Sequence, residues 1–496
     1  MKKNKLFWLM QSAFFIIISI AFISHLFFNT NPYIFTILGQ VLSFIATGLF
    51  LTFLVIMLSK MNTIRISSIY LTHAVILTIQ IGVATQLEAD FLHDLIFIAN
   101  NARVTDGVFT WPGYFSTYPN NFILFFFFRS VYGVLSLLGI GTSFHLVLKI
   151  TSLLAVNLSL MLVFYTVKMF LGNKQATISW LFAFCLIAPN RLIFVPYTDT
   201  LSMPFVIGQL SLYGKLLQRQ DKFFGIAFML GVLASIGFLI KPTTVIPLVA
   251  IVIIELIKDI ETWLTKKNAT AQDKPIMLSI HLVWDTLLGF LLINMKFHLF
   301  IRFQTVLPFD PTIAFPAEHW IKMGLTTQYQ GNGRYLFGSY YADDFFFMHS
   351  FANTGEMRTA ARIVIGERLQ AFGFFGYLEF LLSKGRWITS DGLFAGTDLM
   401  SIGTISPWFR YLFQGIWATI LLMIVGQAFF KQNHDQRLKL VAICSLIGII
   451  LQILLMEASP RYLINHLPLF AILASFFVFE CQSRFNRSNE LDSTRD

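Results

Sequence analysis

Apolar runs of membrane-spanning length alternate with short polar segments along most of the chain. A helix that crosses a bilayer needs about 20 predominantly apolar residues. On that criterion the pattern predicts about twelve transmembrane helices, within a range of about eleven to thirteen. The predicted spans are 7–28, 33–58, 66–86, 145–167, 175–195, 199–216, 222–240, 243–258, 279–301, 406–430, 437–456 and 460–480. We therefore expect an all-α polytopic membrane protein.

One further apolar run, Phe122–Gly141, is left out of the spans because of the distribution of positive charge. If this run lies at the outer membrane interface, more than half of the 36 Lys and Arg residues fall in short segments on one side. The positive-inside rule assigns that side to the cytoplasm. Both termini are then cytoplasmic, and the first apolar segment is expected to remain as a helix because it lacks a small-residue cleavage site.

Composition agrees with this class of protein. Hydrophobic residues make up 56% of the 496 positions and charged residues only 12%, with a mean hydropathy of +0.68. A soluble domain carries about 25% charged residues. The net charge of +10 then reflects orientation and the anionic inner leaflet, and no nucleic acid partner is expected. The cysteines at 185, 444 and 481 show neither a disulfide framework nor zinc-site spacing.

The spans divide the chain into six parts, and two of these face outward. The predicted parts are the N-terminal transmembrane helices 1–86, a first outer loop with juxtamembrane helices at 87–144, a transmembrane core at 145–301, a large and mostly helical outer region at 302–405, the C-terminal transmembrane helices 406–480 and a cytoplasmic tail at 481–496. Because every inner segment is short, we expect function at the outer face.

Acidic residues cluster in the first outer loop, just past a predicted span. Asp90 and Asp94 are four residues apart, so on a helix they share one face, and Glu88 lies beside them. Carboxylates at this depth can serve as a general base or can form a solvated surface. Asp106, followed by Gly107, is typical of a turn.

The segment Tyr114–Asn121, YFSTYPNN, follows in the same loop and offers Tyr118, Asn120 and Asn121 as substrate-binding groups. Pro119 can begin the next helix, and tyrosine suits the membrane interface. A purely structural role as a helix entry is therefore the alternative interpretation.

Several charged side chains are predicted at the same depth as this loop. Asp199, in YTDT, is either a substrate-binding residue or a helix N-cap. Lys241, in IKPT, can extend its amine toward the interface or bind an anionic head group. A lipid phosphate needs several cations at one depth, and the candidates there are Lys241, Arg461, Arg302 and Arg129.

The second outer region contains aromatic and polar residues that suit sugar binding, with His319 and Trp320 as candidates. His319 is isolated among potential ligands, so no metal site is predicted. The sequence lacks GxxxxGK[ST], GxSxG, HExxH and CxxC. No cofactor is required by these observations, and a divalent cation is left open.

The order of these motifs resembles the GT-C superfamily of polyprenyl-phosphate-sugar-dependent membrane glycosyltransferases. Within this superfamily, the chain resembles the bacterial relatives of protein O-mannosyltransferases and of the lipid A aminoarabinose transferase. The resemblance covers most of residues 60–480. It rests on EADFLHD, YFSTYPNN, YTDT, IKPT, HWIKMGL and SPRYLINHLP.

The resemblance implies an inverting glycosyltransferase that moves a sugar from a polyprenyl phosphate to an acceptor hydroxyl at the outer face. The acceptor would be a cell-envelope glycan, a teichoic acid, a lipid or a protein. By this resemblance, an aspartate in the first outer loop is the general base, with Asp90 first and Asp94 as the alternative. Lys241 would hold the lipid phosphate, assisted by Arg461.

Two other functions compete with this interpretation. A flippase or transporter of lipid-linked saccharides would use midplane charges and repeated halves, but charges in the middle of the predicted spans are few (Lys149, Asp285 and Lys296), and no internal repeat is evident. A non-catalytic scaffold for envelope assembly would leave the carboxylates dispensable.

Overall fold

The computed structural model describes residues 5–27, 37–60, 66–87, 91–111, 113–265, 278–329, 335–389, 394, 407–430 and 437–493. The α-helices within these ranges are α1 (Lys5–Phe27), α2 (Ile37–Lys60), α3 (Ile66–Gln86), α4 (His93–Arg103), α5 (Tyr114–Thr117), α6 (Phe122–Leu137), α7 (Phe144–Ile187), α8 (Thr198–Leu201), α9 (Met203–Gln218), α10 (Phe223–Ile240), α11 (Ile246–Thr265), α12 (Leu278–Phe303), α13 (Ala317–Met323), α14 (Ala342–His349), α15 (Thr354–Thr389), α16 (Pro407–Gly426), α17 (Arg437–Leu455) and α18 (Leu467–Ser493).

Ten helical segments among the described residues are long and apolar enough to cross a membrane. They include Pro119–Leu137, which covers most of the run Phe122–Gly141 that the charge pattern places at the interface. They do not include α9, which has only 16 residues, or α11, which carries four charged residues. The prediction of an all-α polytopic membrane protein is confirmed, and the number of spans stays a prediction.

Helix α7 is two helices joined at Gly172, where the backbone has a φ of 85°. Only glycine adopts this conformation readily, so the chain breaks between the predicted spans 145–167 and 175–195. The second of these ends at Ile187, earlier than predicted, and a 3₁₀ turn, Arg191–Phe194, follows it. Helix α15 is divided in the same way at Gly373, with a φ of 59°.

Helix α7 lies against α18 and α9, and α10 lies against α9 and α12. Small residues let α10 and α12 approach closely. A Cβ atom on Gly231 would lie 2.0 Å from the backbone oxygen of Thr286, and one on Gly289 would lie 2.3 Å from that of Phe228. Such glycine contacts are a common means of helix association in membranes. The two N-terminal helices, α1 and α2, pack on α16.

The 87–144 region contains α4, α5 and α6, and α4 packs on α6. Asp106 forms the predicted turn, because its Oδ1 accepts a hydrogen bond of 3.1 Å from the Val108 amide, and Gly107 has a φ of 79°. At the base of this region, the Lys149 amine donates to the carbonyl of Leu87 over 2.7 Å. This cation, predicted within a span, therefore anchors the start of the loop.

The 302–405 region consists of α13, α14, α15 and an antiparallel hairpin that the sequence analysis did not predict. The hairpin pairs β1 (Thr327–Tyr329) with β2 (Tyr335–Phe337). The helices agree with the mostly helical region predicted there, and α15 is the longest of them. The region is joined to the 87–144 region by the Phe315 amide, which donates to the Thr117 carbonyl over 3.2 Å, and by the Asp310 amide, which donates to Ser116 Oγ over 2.8 Å.

Candidate functional site

Charged residues from three separate parts of the chain meet at one end of the helix bundle. Asp199 lies in the first turn of the short helix α8, and Lys241 follows the last residue of α10. Arg461 lies in the 3₁₀ turn Pro460–His466, which leads into α18. Because the chain leaves or enters a helix at each of these positions, the side chains project into one space between the helix ends.

The Asp199 carboxylate bridges the two cations. Its Oδ1 accepts a hydrogen bond from Lys241 Nζ, and its Oδ2 lies 2.8 Å from Arg461 Nη1. Burial disfavours the charged form of Asp199, but Lys241 and Arg461 outweigh that cost and hold the pKa of Asp199 below its ordinary value. The cluster therefore contains two positive charges and one negative charge. The N-cap interpretation of Asp199 is wrong, because Tyr197 is the N-cap of α8.

Aromatic rings cover the cations of this cluster. The Arg461 guanidinium lies 5.2 Å from the Tyr197 ring centroid and 5.0 Å from that of Tyr462, and Lys241 Nζ lies 4.8 Å from the same Tyr462 centroid. Arg461 Nε is buried and has no hydrogen-bond partner among the described residues. Buried donors are nearly always satisfied in native proteins, so an unpaired one requires an explanation.

Asp94 lies beside this cluster, in the first turn of α4. Its Oδ2 accepts a hydrogen bond of 3.2 Å from the Tyr197 hydroxyl, and Tyr114 also hydrogen bonds to it. Burial, followed by the negative charge of Asp94, raises the pKa of Tyr114 and Tyr197 well above the ordinary value. These phenols therefore stay protonated and act as donors toward the carboxylate.

A second carboxylate, Glu457, completes the site and was missed by the sequence analysis. It lies between α17 and the 3₁₀ turn that carries Arg461, and its Oε1 accepts a hydrogen bond of 3.0 Å from the Tyr462 hydroxyl. Burial raises the pKa of Glu457 to about 7, against the opposing effect of Arg461. Glu457 directly follows the apolar run of α17 in EASPRY, and this position was the available signal.

The predicted residues of YFSTYPNN divide into two groups. Tyr118 lies at the site. Its ring is 6.0 Å from that of Trp320, and burial together with the negative charges of Asp94 and Glu457 raises the pKa of its hydroxyl. Asn121 is buried and donates to the Tyr114 hydroxyl over 2.7 Å, so it supports a residue that contacts Asp94. Asn120 is exposed and donates only to Asn121 among the described contacts.

His319 and Trp320 lie on α13 and differ in their surroundings. The Trp320 carbonyl accepts a hydrogen bond of 2.8 Å from the Glu457 amide, which joins α13 to the site. His319 is fully buried, and neither ring nitrogen has a partner among the described residues. Its ring packs 4.2 Å from Phe315, and burial lowers the pKa of His319 to about 3. His319 is thus a neutral core residue in this structure.

Two of the predicted cations lie apart from the cluster. Arg129 Nη1 donates over 2.8 Å to the carbonyl of Val104, the residue that ends α4. Arg302 is exposed at the end of α12 and forms no ion pair with another described residue. Glu88 and Asp90 lie outside the described residues.

Potential metal ligands do not gather in the part of the chain that the structure describes. No group of three or more His, Cys, Asp or Glu side chains is placed there to hold a metal ion. Asp94 and Glu457 are the two carboxylates that remain near the cluster without a salt bridge to a described residue. The chemistry that the site offers is therefore proton transfer beside a pair of cations.

The fold defines the chain as an all-α polytopic integral membrane protein. The chain belongs to the family described as "Conserved hypothetical integral membrane protein", whose model matches residues 4–400. No curated protein and no solved structure matches the chain. The matched range contains Asp94, Asp199 and Lys241, whereas Glu457 and Arg461 lie beyond it.

Proposed function

We propose that the protein is an inverting glycosyltransferase that moves a sugar from a polyprenyl phosphate to an acceptor hydroxyl. One observation carries the proposal: two buried cations share a single carboxylate, and a potential base lies directly beside them. The resemblance to the GT-C superfamily agrees with this arrangement. The acceptor would be a glycan, teichoic acid, lipid or protein of the cell envelope.

The charge of the cluster suits a lipid phosphate. Lys241, Arg461 and Asp199 together carry one net positive charge, which balances the single negative charge of a sugar phosphodiester. As the bond to the sugar breaks, a second negative charge develops on the phosphate, and positioned cations stabilise it. Arg461 Nε is an unused donor for that oxygen.

The location of the cluster also suits a lipid donor. Lys241 follows the apolar helix α10, and Arg461 precedes α18, so both cations lie where membrane helices end. The faces of α2, α3 and α12 expose large apolar side chains, as expected of surfaces covered by lipid. A polyprenyl chain can lie along such helices while its phosphate reaches the cations.

The reaction is a single displacement. An aspartate of the 87–144 region takes the proton of the acceptor hydroxyl, the acceptor oxygen attacks the anomeric carbon, and the phosphate leaves. Asp94 is the candidate for the base among the described residues, and Asp90 is the alternative candidate. Attack from the face opposite the phosphate inverts the configuration.

The proposed topology follows from the charge pattern. About twelve spans place both termini in the cytoplasm, with α6 at the outer interface and the site at the outer face of the cell membrane. The proposed partners are the lipid-linked donor, the acceptor and membrane lipids. No cofactor is required by this mechanism, and a divalent cation can be tested by adding a chelator.

The direct test is sugar transfer by the purified chain in liposomes containing a labelled polyprenyl-phosphate sugar and candidate acceptors. We expect transfer by the wild type and a loss of about 10²–10⁴-fold when the general base is replaced. Asp94→Asn and Asp90→Asn identify which carboxylate is the base, and Asp106→Asn, in the turn, is the matched control. Full activity of both the Asp94 and Asp90 variants contradicts the mechanism, and donor movement across the bilayer without transfer identifies a flippase.

A further inference from the structure

Glu457 lies at the centre of the site although it belongs to the short connection between α17 and α18. The residue is partly buried, and its carboxyl group accepts a hydrogen bond of 3.0 Å from the Tyr462 hydroxyl. The neighbouring Arg461 is the cation of the phosphate cluster. Glu457 is therefore placed on the leaving-group side of the proposed reaction.

The two free carboxylates of the site face the same tyrosines. Tyr118 and Tyr340 each lie close enough to both Asp94 and Glu457 for the two negative charges to raise their pKa, in addition to the effect of burial. Asp94 and Glu457 thus flank one space. A pair of carboxylates around a reacting bond is the arrangement that acid–base catalysis at a sugar requires.

The two carboxylates differ in their surroundings. Asp94 lies in the first turn of α4 and accepts a hydrogen bond from the Tyr197 hydroxyl. Glu457 follows the carboxyl end of α17, where the helix dipole favours the neutral form, and its carboxyl group accepts a hydrogen bond from the Tyr462 hydroxyl. A carboxyl group whose surroundings favour the neutral form is suited to act as an acid.

The charged groups that interact with Glu457 are Arg461, Asp94, Lys384 and Lys241. Arg461 is already paired with Asp199. Lys384 is fully buried, and its amine donates to the carbonyls of Gly324, Leu454 and Met456 at 2.5–3.0 Å. Burial lowers the pKa of Lys384 to about 7, so it offers Glu457 a weak counter-charge.

Lys384 also fixes the position of Glu457. Two of the carbonyls that it binds belong to Leu454 and Met456, just before Glu457. The connection is held further by the Ala458 amide, which donates to the Gly338 carbonyl over 2.7 Å. The 302–405 region thus orients this carboxyl group, with Lys384 as a positioning residue.

We propose that Glu457 is the general acid that gives its proton to the departing phosphate. This step rests on the proposed glycosyl transfer. The acceptor O–H bond breaks and its proton passes to the aspartate base, while the acceptor oxygen forms a bond to the anomeric carbon. The bond between that carbon and the phosphate oxygen breaks, its electron pair stays on the oxygen, and that oxygen takes the Glu457 proton. A proton from the aspartate or from water restores Glu457.

The pH dependence follows from the direction of the pKa shift. A general acid must be protonated, so transfer by the wild type should be fastest below about pH 7 and fall about tenfold per unit above it. Glu457→Gln keeps the shape but has no proton to give. We expect its kcat to fall by about 10²–10³-fold with little change in the donor KM, and its decline above pH 7 to disappear.

The controls separate this proposal from the proposed function. Glu457→Asp restores part of the activity and the alkaline decline, and Glu379→Gln, at an exposed position on α15, behaves as the wild type. If the wild type transfers sugar and Glu457→Gln keeps its rate and pH profile, the general acid is wrong but the transferase stands. If no transfer occurs, the transferase and its general acid both fall. Infrared difference spectra test the acid separately: a wild-type carboxyl band that is not lost between pH 6 and 8, or that persists in Glu457→Gln, overturns the proposal even when transfer occurs.

Discussion

Two buried aspartates in this protein each bridge a lysine and an arginine, yet the two clusters differ in their remaining donors. Asp199 pairs with Lys241 and Arg461 at the helix ends, and Asp344 pairs with Lys322 and Arg368 in the 302–405 region. The Asp344 cluster is closed. Arg368 binds both carboxylate oxygens at 2.7 and 2.8 Å, and its Nη1 also donates over 2.6 Å to the Lys322 carbonyl.

The Asp199 cluster, by contrast, leaves a hydrogen-bond donor of its arginine unused. Arg461 gives one hydrogen bond to Asp199, and its buried Nε has no partner among the described residues. Asp94 and Glu457 lie next to it, whereas the carboxylate at Asp344 is enclosed by its own cations. The comparison shows that the residue types of a buried ion cluster do not reveal its role. The number of donors left unused distinguishes a structural cluster from a candidate anion site.

The largest expected effect is on the closed cluster. Asp344→Asn leaves Lys322, whose side chain has no exposed surface, without its counter-charge. Removing one partner of a buried ion pair costs about 3–5 kcal/mol, because the other charge is then uncompensated. We expect a large fall in the midpoint of thermal unfolding in detergent, and polyprenyl phosphate should raise this midpoint no more than it raises that of the wild type. A variant as stable as the wild type would show that the cluster is solvated.

Asp199→Asn should destabilise the protein in a way that a ligand can reverse. The variant leaves Lys241 and Arg461 as neighbouring cations, which repel each other. A phosphate can replace the missing carboxylate, and a ligand at 100 times its Kd stabilises a protein by about 2.7 kcal/mol. We expect polyprenyl phosphate to raise the unfolding midpoint of Asp199→Asn by more than it raises that of the wild type, and to raise that of Asp344→Asn only as much as that of the wild type. Equal responses of the two variants would remove the distinction between the clusters.

The smallest effect is expected from replacing His319. This substitution tests whether His319 is a core residue or a sugar-binding residue. Both ring nitrogens are buried without a described partner, and Phe315 packs on the ring. His319→Phe replaces this unsatisfied polar group with an apolar one, and we expect stability to change by no more than about 1 kcal/mol, most simply upward. Transfer activity should stay within about twofold of the wild type. A large loss of activity with unchanged stability would show that His319 binds substrate.

Much of the fold could be predicted because spans are encoded locally, by length and apolar composition. The observed limits of α3, α10, α12 and α17 lie within about two residues of the predicted ones. The hairpin β1–β2 could not be predicted, because three-residue strands carry too little alternation. The sequence also leaves the membrane placement of α6 undecided. Its apolar length favours a transmembrane helix, whereas the charge pattern favours a helix at the interface.

The site was predictable only in part, because burial and pairing are not local. Lys241 and Arg461 stood out as cations at span ends, and the structure brings them together. Asp199 has the sequence context of an N-cap, and only its contact with two distant cations shows otherwise. Glu457 was missed because its neighbours, Tyr118, Tyr340 and Lys384, lie more than seventy positions away in sequence.

The most direct test of the account is the binding of polyprenyl phosphate to the purified full chain, compared with the uncharged polyprenol. We expect the phosphate to bind and the alcohol to bind at least tenfold more weakly. Arg461→Met should weaken phosphate binding by about 10–100-fold, the value of one or two charged hydrogen bonds. Arg302→Met, at an exposed arginine outside the cluster, should bind as the wild type does. Equal binding of the phosphate and the alcohol, or an unchanged Kd in Arg461→Met, would contradict a lipid-phosphate site at Asp199, Lys241 and Arg461.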